Sequence, residues 1–131
     1  MIVSGKIPPP PAARLLGLEV VSATRGTVEL TFFADRSFLN PAGAVQGGML
    51  SAMLDEALSI AALTALDQGE HVLTLEMKVQ FIAAARDGQL RAQGRLISQG
   101  GRVGFVEADL TQEGKLIARS TATLLVRSSD K

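Results

Sequence analysis

Cysteine is absent from the 131-residue chain, and histidine occurs once, as His71. No disulfide, thiolate nucleophile or zinc–cysteine site can therefore form, and one copy cannot build a two-histidine metal centre. Tyrosine and tryptophan are missing and only 5 phenylalanines occur, so a stacking platform for nucleic-acid bases is poorly supplied. Charge of one sign is also lacking: 13 Lys and Arg balance 13 Asp and Glu. That removes the basic surface that nucleic-acid binding needs, and the low self-repulsion permits self-association. No run reaches 18 charge-free apolar residues, so no membrane span is expected. The opening MIVSGKIPPP lacks the pattern of a signal peptide. The expectation is a cytoplasmic protein with no nucleic-acid or membrane partner.

What is present is 47% hydrophobic residues, enough for one core at this length. A single domain over residues 1–131 is expected, with 1–10 and 128–131 as loose ends. Pro11 to Gly17 predicts a short helix, with Pro at its start and Gly past its end. Residues 18–25 and 27–34 are rich in β-branched and alternating positions about Gly26, which predicts a hairpin. Asn40-Pro41, Gly43 and Gly47-Gly48 mark residues 37–48 as a loop. Residues 49–66 contain strong helix formers and neither Gly nor Pro, which predicts a helix of ~27 Å. It is apolar nearly all round and therefore buried. Residues 71–84, 89–98, 102–112 and 115–127 read as strands, separated by Arg86-Asp87-Gly88, Gln99-Gly100-Gly101 and Glu113-Gly114. One apolar helix and about six antiparallel strands make an α+β domain whose sheet curls around the helix.

Chemistry concentrates between Asn40 and Ser59. Gly47 and Gly48 open the long helix, where backbone N–H groups lack intrahelical acceptors and carry positive partial charge. Glycine lets a ligand atom approach them, as a polarised carbonyl oxygen requires. Asp55 sits in the middle of the apolar helix, where a carboxylate is costly unless paired or functional. Ser51 and Ser59 lie four residues either side of it on the same face, whereas Glu56 points ~100° away. Gly47 and Asp55 are about 12 Å apart along one helix. A catalytic group must come within about 3 Å of its target. If both serve one carbonyl, they come from two copies of the chain related by a two-fold axis.

The run Asn40-Pro-Ala-Gly43-Ala-Val-Gln46-Gly47-Gly48, followed by Met-Leu-Ser-Ala-Met-Leu-Asp55, resembles the active-site segment of hotdog-fold acyl-CoA thioesterases of the phenylacetate-degradation (PaaI-like) and 4-hydroxybenzoyl-CoA thioesterase group. Ala-Arg-Leu-Leu-Gly-Leu-Glu-Val-Val near the start is similar to that group's N-terminal part. Gly100-Gly101-Arg102 with Glu107-Ala-Asp-Leu, and Gly114-Lys-Leu-Ile-Ala with Thr121-Ala-Thr, are similar to its C-terminal strands. The resemblance implies the hotdog fold, a homodimer or dimer of dimers, and hydrolysis of an acyl-CoA with no cofactor or metal beyond the coenzyme A of the substrate. It implies that the Gly47 N–H polarises the thioester carbonyl, and that Asp55 of the partner subunit is nucleophile or general base. Asn40 positions water or the carboxylate, and Thr74, with Ser59 as second candidate, holds the attacking water. Gly48, Met49, Met53, Leu54 and Phe81 are expected around an aromatic or medium-chain acyl group. Arg102, Arg86 and Lys78 are candidates for the coenzyme A nucleotide. Gln46 departs from the His common among relatives; its amide can donate a hydrogen bond but cannot change protonation state. A thiolate with a pKa near ~8.5 leaves with little proton help, so the reaction class survives the change. The competing readings are a non-catalytic acyl-CoA sensor of the same fold, kept open by Gln46, and a hydratase, disfavoured because His71 lies outside the motif.

Overall fold

The computed structural model of the chain describes residues 9–128. In order it contains α1 (Pro11–Leu15), β1 (Glu19–Thr24), β2 (Thr27–Ala34), a 3-10 turn (Arg36–Phe38), α2 (Gly47–Leu63), β3 (Glu70–Phe81), β4 (Gly88–Gly100), β5 (Val103–Gln112) and β6 (Lys115–Ser128). All six strands form one antiparallel sheet in the order β1-β2-β4-β5-β6-β3. The chain leaves β2 through α2, crosses to the far edge as β3, and returns to fill the middle with two hairpins. Both hairpins turn where glycine was expected to turn them: at Gly101, with φ +72°, and at Glu113-Gly114, with φ +51° and +81°. Of the expected loose ends, residues 1–8 and 129–131 lie outside the described residues. Pro10 instead precedes α1 as its N-cap, and Ser128 closes β6.

The helix is shifted from its expected span, starting two residues earlier and ending three earlier. It begins at Gly47 because Gly47 and Gly48 both keep negative φ and continue the helix backward. It ends at Leu63 because the Thr64 hydroxyl donates to the Ala61 carbonyl at 2.7 Å and accepts the Gly26 N–H at 2.7 Å. That pair ties the helix end to the β1–β2 turn. Ala65 and Leu66 then bond back to Ala62 and Leu63 in tightened turns.

Leu50, Met53, Leu54, Ala57, Leu58, Ile60, Ala61 and Ala62 of α2 are buried against the concave face of the sheet. Each large one contributes roughly 1.5–3 kcal/mol by leaving water. The opposite stripe of α2, with Ala52, Asp55, Glu56, Ser59 and Leu63, is half-buried, so the helix is not wrapped on every side. Facing α2, the sheet presents small residues: Ala92 and Gly94 on β4, Ala108 on β5, Ala118 and Ala122 on β6. The tightest point is Gly94. A Cβ there would stand 2.5 Å from the Ala57 carbonyl oxygen and 3.3 Å from Ala61 Cβ.

Gly94→Ala is therefore expected to push helix and sheet apart and to cost about 1–3 kcal/mol. Gly100, which has open space and ordinary φ, serves as control. Gly100→Ala should stay within about 0.5 kcal/mol of the parent. Denaturant midpoints measured side by side check this; equal midpoints for the two variants contradict the packing described.

Candidate active site

The loop before α2 is held by Asn40. Its Oδ1 accepts the Ala42 and Ala44 N–H groups at 3.0 and 3.1 Å, and its own N–H donates to the Ala44 carbonyl at 2.7 Å. Asn40 thus shapes the loop that leads into the Gly47 end of the helix. Val45 bonds to Ala85 and Gln46 to Phe38, which fix the entry to the helix. Gln46 is the N-cap residue, and no side chain caps the first turn. The Gly47 and Gly48 N–H groups stand at the positive end of a 17-residue helix. At neither position does φ require glycine, and an added Cβ would crowd an exposed side chain that has room to move. A Cβ on Gly47 would meet the Phe81 ring at 3.2 Å, and one on Gly48 would meet Gln46 Oε1 at 2.8 Å.

Asp55 lies two turns along the same helix, half-buried, and its Oδ1 accepts the Thr74 hydroxyl at 2.8 Å. A β-bulge makes this contact possible. The β3–β6 register shifts between Thr74 and Glu76, so Leu75 is the extra residue. Before the bulge Val72 and Thr74 face the helix; after it Met77, Val79 and Phe81 do. Without that change of parity, Thr74 and Phe81 could not both face α2. Ser51, one turn before Asp55, donates to the Gly47 carbonyl at 2.9 Å and so braces the first turn. Burial, and secondarily the charge of Asp55, raise the Glu56 carboxyl above the ordinary glutamate value.

The remaining candidates scatter. Met53 and Leu54 are fully buried in the core beneath the helix, so they pack the fold and do not line an open pocket; Met49 is half-buried. Phe81 is half exposed over Gly47, and Gly48 is exposed. Ser59 is half-buried and lines a cavity with Glu56. Arg102 stands in the β4–β5 turn near Glu70, at the opposite end of β3 from Phe81 and Gly47. Arg86 is paired with Glu113 at 2.8 Å, and Lys78 projects from the outer face of the sheet opposite Thr121. Two features escaped the sequence reading: the bulge at Leu75 and the cavity role of Glu56. Glu56, Ser59, Ile60 and Leu63, at i, i+3, i+4 and i+7, form a helix stripe that could have pointed to the latter.

A single antiparallel sheet curled around one helix, with a glycine pair at the helix start and a carboxylate in its middle, defines the hotdog fold. The thioesterase superfamily model matches residues 42–118, and the chain belongs to that family. A phenylacetic acid degradation-related protein of Ralstonia eutropha JMP134 is 37% identical, with a TM-score of 0.91 over 95% of this chain and 96% of that one. Human acyl-coenzyme A thioesterase 13 is 28% identical over 84% of this chain and 81% of its own length. The 1,4-dihydroxy-2-naphthoyl-CoA hydrolase of Listeria monocytogenes is 26% identical over 88% and 95%. This chain is accordingly a thioester hydrolase. No helix among the described residues is long and apolar enough to cross a membrane.

The Glu56 shift has a definite sign. A carboxyl whose folded pKa is raised favours folding most below its ordinary value of 4.5, and that contribution is lost as pH rises through the folded value. Glu56→Gln should therefore melt higher than the parent at pH 7.5, with the advantage shrinking as pH falls through the raised value and gone below about pH 4.5. Paired melting curves at the two pH values test it; an advantage that grows on acidification would contradict the direction.

Proposed function

We propose that the protein hydrolyses an acyl-CoA thioester to the free acid and coenzyme A, in a site shared between two copies of the chain. The observation that carries this reading is that Gly47 and Asp55 lie on one continuous helix, eight residues and about 12 Å apart. One copy cannot bring both to one carbonyl; two antiparallel copies can do so twice. The names of the human and Listeria relatives support coenzyme A thioesters as the substrate class.

In this reading the partner's carboxylate acts on a carbonyl held at the helix start. The thioester oxygen sits at the Gly47 N–H, where the helix dipole stabilises the charge that develops. Water attacks the carbonyl carbon and gives its proton to Asp55. The tetrahedral oxyanion collapses, the C–S bond breaks, and coenzyme A leaves as a thiolate that takes up the proton. The Thr74 contact favours Asp55 as general base over Asp55 as nucleophile. The Thr74 hydroxyl donates to Oδ1, and its lone pairs remain to accept from a water beside the carboxylate. Gln46 adds a neutral amide at the mouth of the site, and neither Cys, metal nor a His dyad is required.

The second copy has a place to bind. β3 is a 12-residue edge strand without proline, and Leu73 and Leu75 are 51% and 53% exposed on it. Such an edge pairs with another strand unless it is covered. The opposite edge, β1, has six residues and a bulge at Val21, which suits it poorly to pairing. Antiparallel pairing of β3 with its copy would bring the Arg102 end of one subunit to the Gly47 end of the other, beside the coenzyme A moiety. A dimer of dimers would repeat this unit without changing the site.

Subunit mixing tests the proposal. Asp55→Asn removes the base, and Gly47→Pro removes the N–H at the first helix position, where the φ of proline fits and the half-exposed Phe81 ring must yield slightly; circular dichroism verifies that each variant folds. Each variant alone should lose at least about 100-fold in thiol release from acyl-CoA substrates. Unfolded and refolded together at equal amounts, they should recover about a quarter of the parent rate, because half the dimers are mixed and each mixed dimer has one intact site. Full activity in Asp55→Asn would sink the assignment of the carboxylate. No recovery on mixing, with heterodimers verified by mass spectrometry, would sink the shared site. Tight acyl-CoA binding with no thiol release by the parent would favour the sensor reading.

A further inference from the structure

The cavity over the C-terminal half of α2 has a volume of about 700 Å³, within the range of small-molecule sites. Its apolar wall comprises Ile60 and Leu63 of α2 and Leu66 of the following turn. It starts where the proposed chemistry ends. Ser59, one helical turn beyond Asp55, lines it, and so does Glu56, the next residue in sequence. An acyl chain with its carbonyl carbon at Asp55 would therefore have about 7.5 Å of helix axis to cross before reaching Ile60, where this wall begins.

The polar lining is of one sign. Glu56, Asp67 and Glu70 all border the cavity, and none of the described residues that line it is Lys, Arg or His. Glu70 is oriented by the Asp67 N–H, which donates to its Oε1 at 3.0 Å. Asp67 is exposed at the rim, while Glu56 is half-buried on the helix itself. A carboxylate held against an apolar wall interacts with a charge entering that wall more strongly than it would in bulk water.

We propose that this cavity is the acyl pocket of the thioesterase site and that Glu56 makes it select uncharged acyl groups over acyl groups that end in a carboxylate. The inference rests on the shared-site reading and adds to it a substrate class and a specificity residue. An ω-carboxylate placed in the cavity meets Glu56 at close range, with Asp67 and Glu70 behind it and no lining cation to offset them. A neutral alkyl or aryl chain meets only the apolar wall and the polar edge of Ser59. Burial and the charge of Asp55 already press Glu56 toward its neutral form, so a second anion entering the cavity adds to a strain that exists in the empty site.

Matched substrate pairs read this directly: hexanoyl-CoA with its ω-carboxy counterpart adipoyl-CoA, and phenylacetyl-CoA with its 4-carboxy counterpart. Thiol release should favour the uncharged member of each active pair by at least about 10-fold in kcat/KM, the more so at low salt. Glu56→Gln should narrow that ratio, and Glu56→Lys should narrow it further or invert it. Because both members are measured on one enzyme preparation, partial loss of folded protein cancels from the ratio. Parent enzyme that uses both members equally overturns the proposal, as does a ratio unmoved in both variants. Absence of thiol release from every substrate overturns instead the shared-site reading beneath it.

Discussion

At Gly94 the backbone of β4 and the Ala57 carbonyl of α2 come so close that no side chain fits between them. The curvature of the sheet, the burial of the helix and the position of Asp55 depend on that contact. Alanines at 92, 108, 118 and 122 extend the close approach across three strands, so the helix lies in a groove of small residues. The larger side chains Leu50, Met53, Leu54 and Leu58 then fill the flanks. A helix held at this distance has its exposed stripe fixed in rotation. Asp55 is turned toward Thr74 of β3 and Glu56 toward the α2–β3 turn because the buried residues leave the helix no other setting. The chemistry therefore follows from packing on the far side of the helix, where no substrate is expected to reach.

The strand and turn pattern was legible because it is local. Glu113-Gly114, Gly100-Gly101 and Gly26 specify turns by their own backbone freedom, and the alternating runs between them could become little else. The long helix was legible from propensity, and the Gly-Gly-to-Asp55 spacing was legible as two turns of that one helix. What was not legible depends on contacts distant in sequence. The helix end moved because Thr64 meets Gly26, 38 residues away. The helix start moved because glycines that read as breakers adopt helical backbone here, beside Phe81 and Gln46. The bulge at Leu75 left no mark on the composition of β3. It nevertheless decides which of its side chains face the helix. Met53 shows the reverse error: a residue type that suits a pocket is spent on the core.

Asp55 and Glu56 are adjacent carboxyls that the fold treats differently, and the difference follows from helical geometry. A step of one residue turns about 100° around the axis, so neighbours cannot share an environment. Asp55 receives the Thr74 hydroxyl, which holds its carboxylate toward β3. Glu56 lies against Ile60, Leu63 and the α2–β3 turn, where burial and the neighbouring charge of Asp55 both act against ionisation. Separated by the helix, one can act on the carbonyl while the other borders the space beyond it. The same periodicity that parts Asp55 from Glu56 also keeps Asp55 two turns from Gly47. In the proposed reading, a chain with one such helix carries both halves of a thioesterase site and completes it beside a second copy, with the open edge of β3 as the seam.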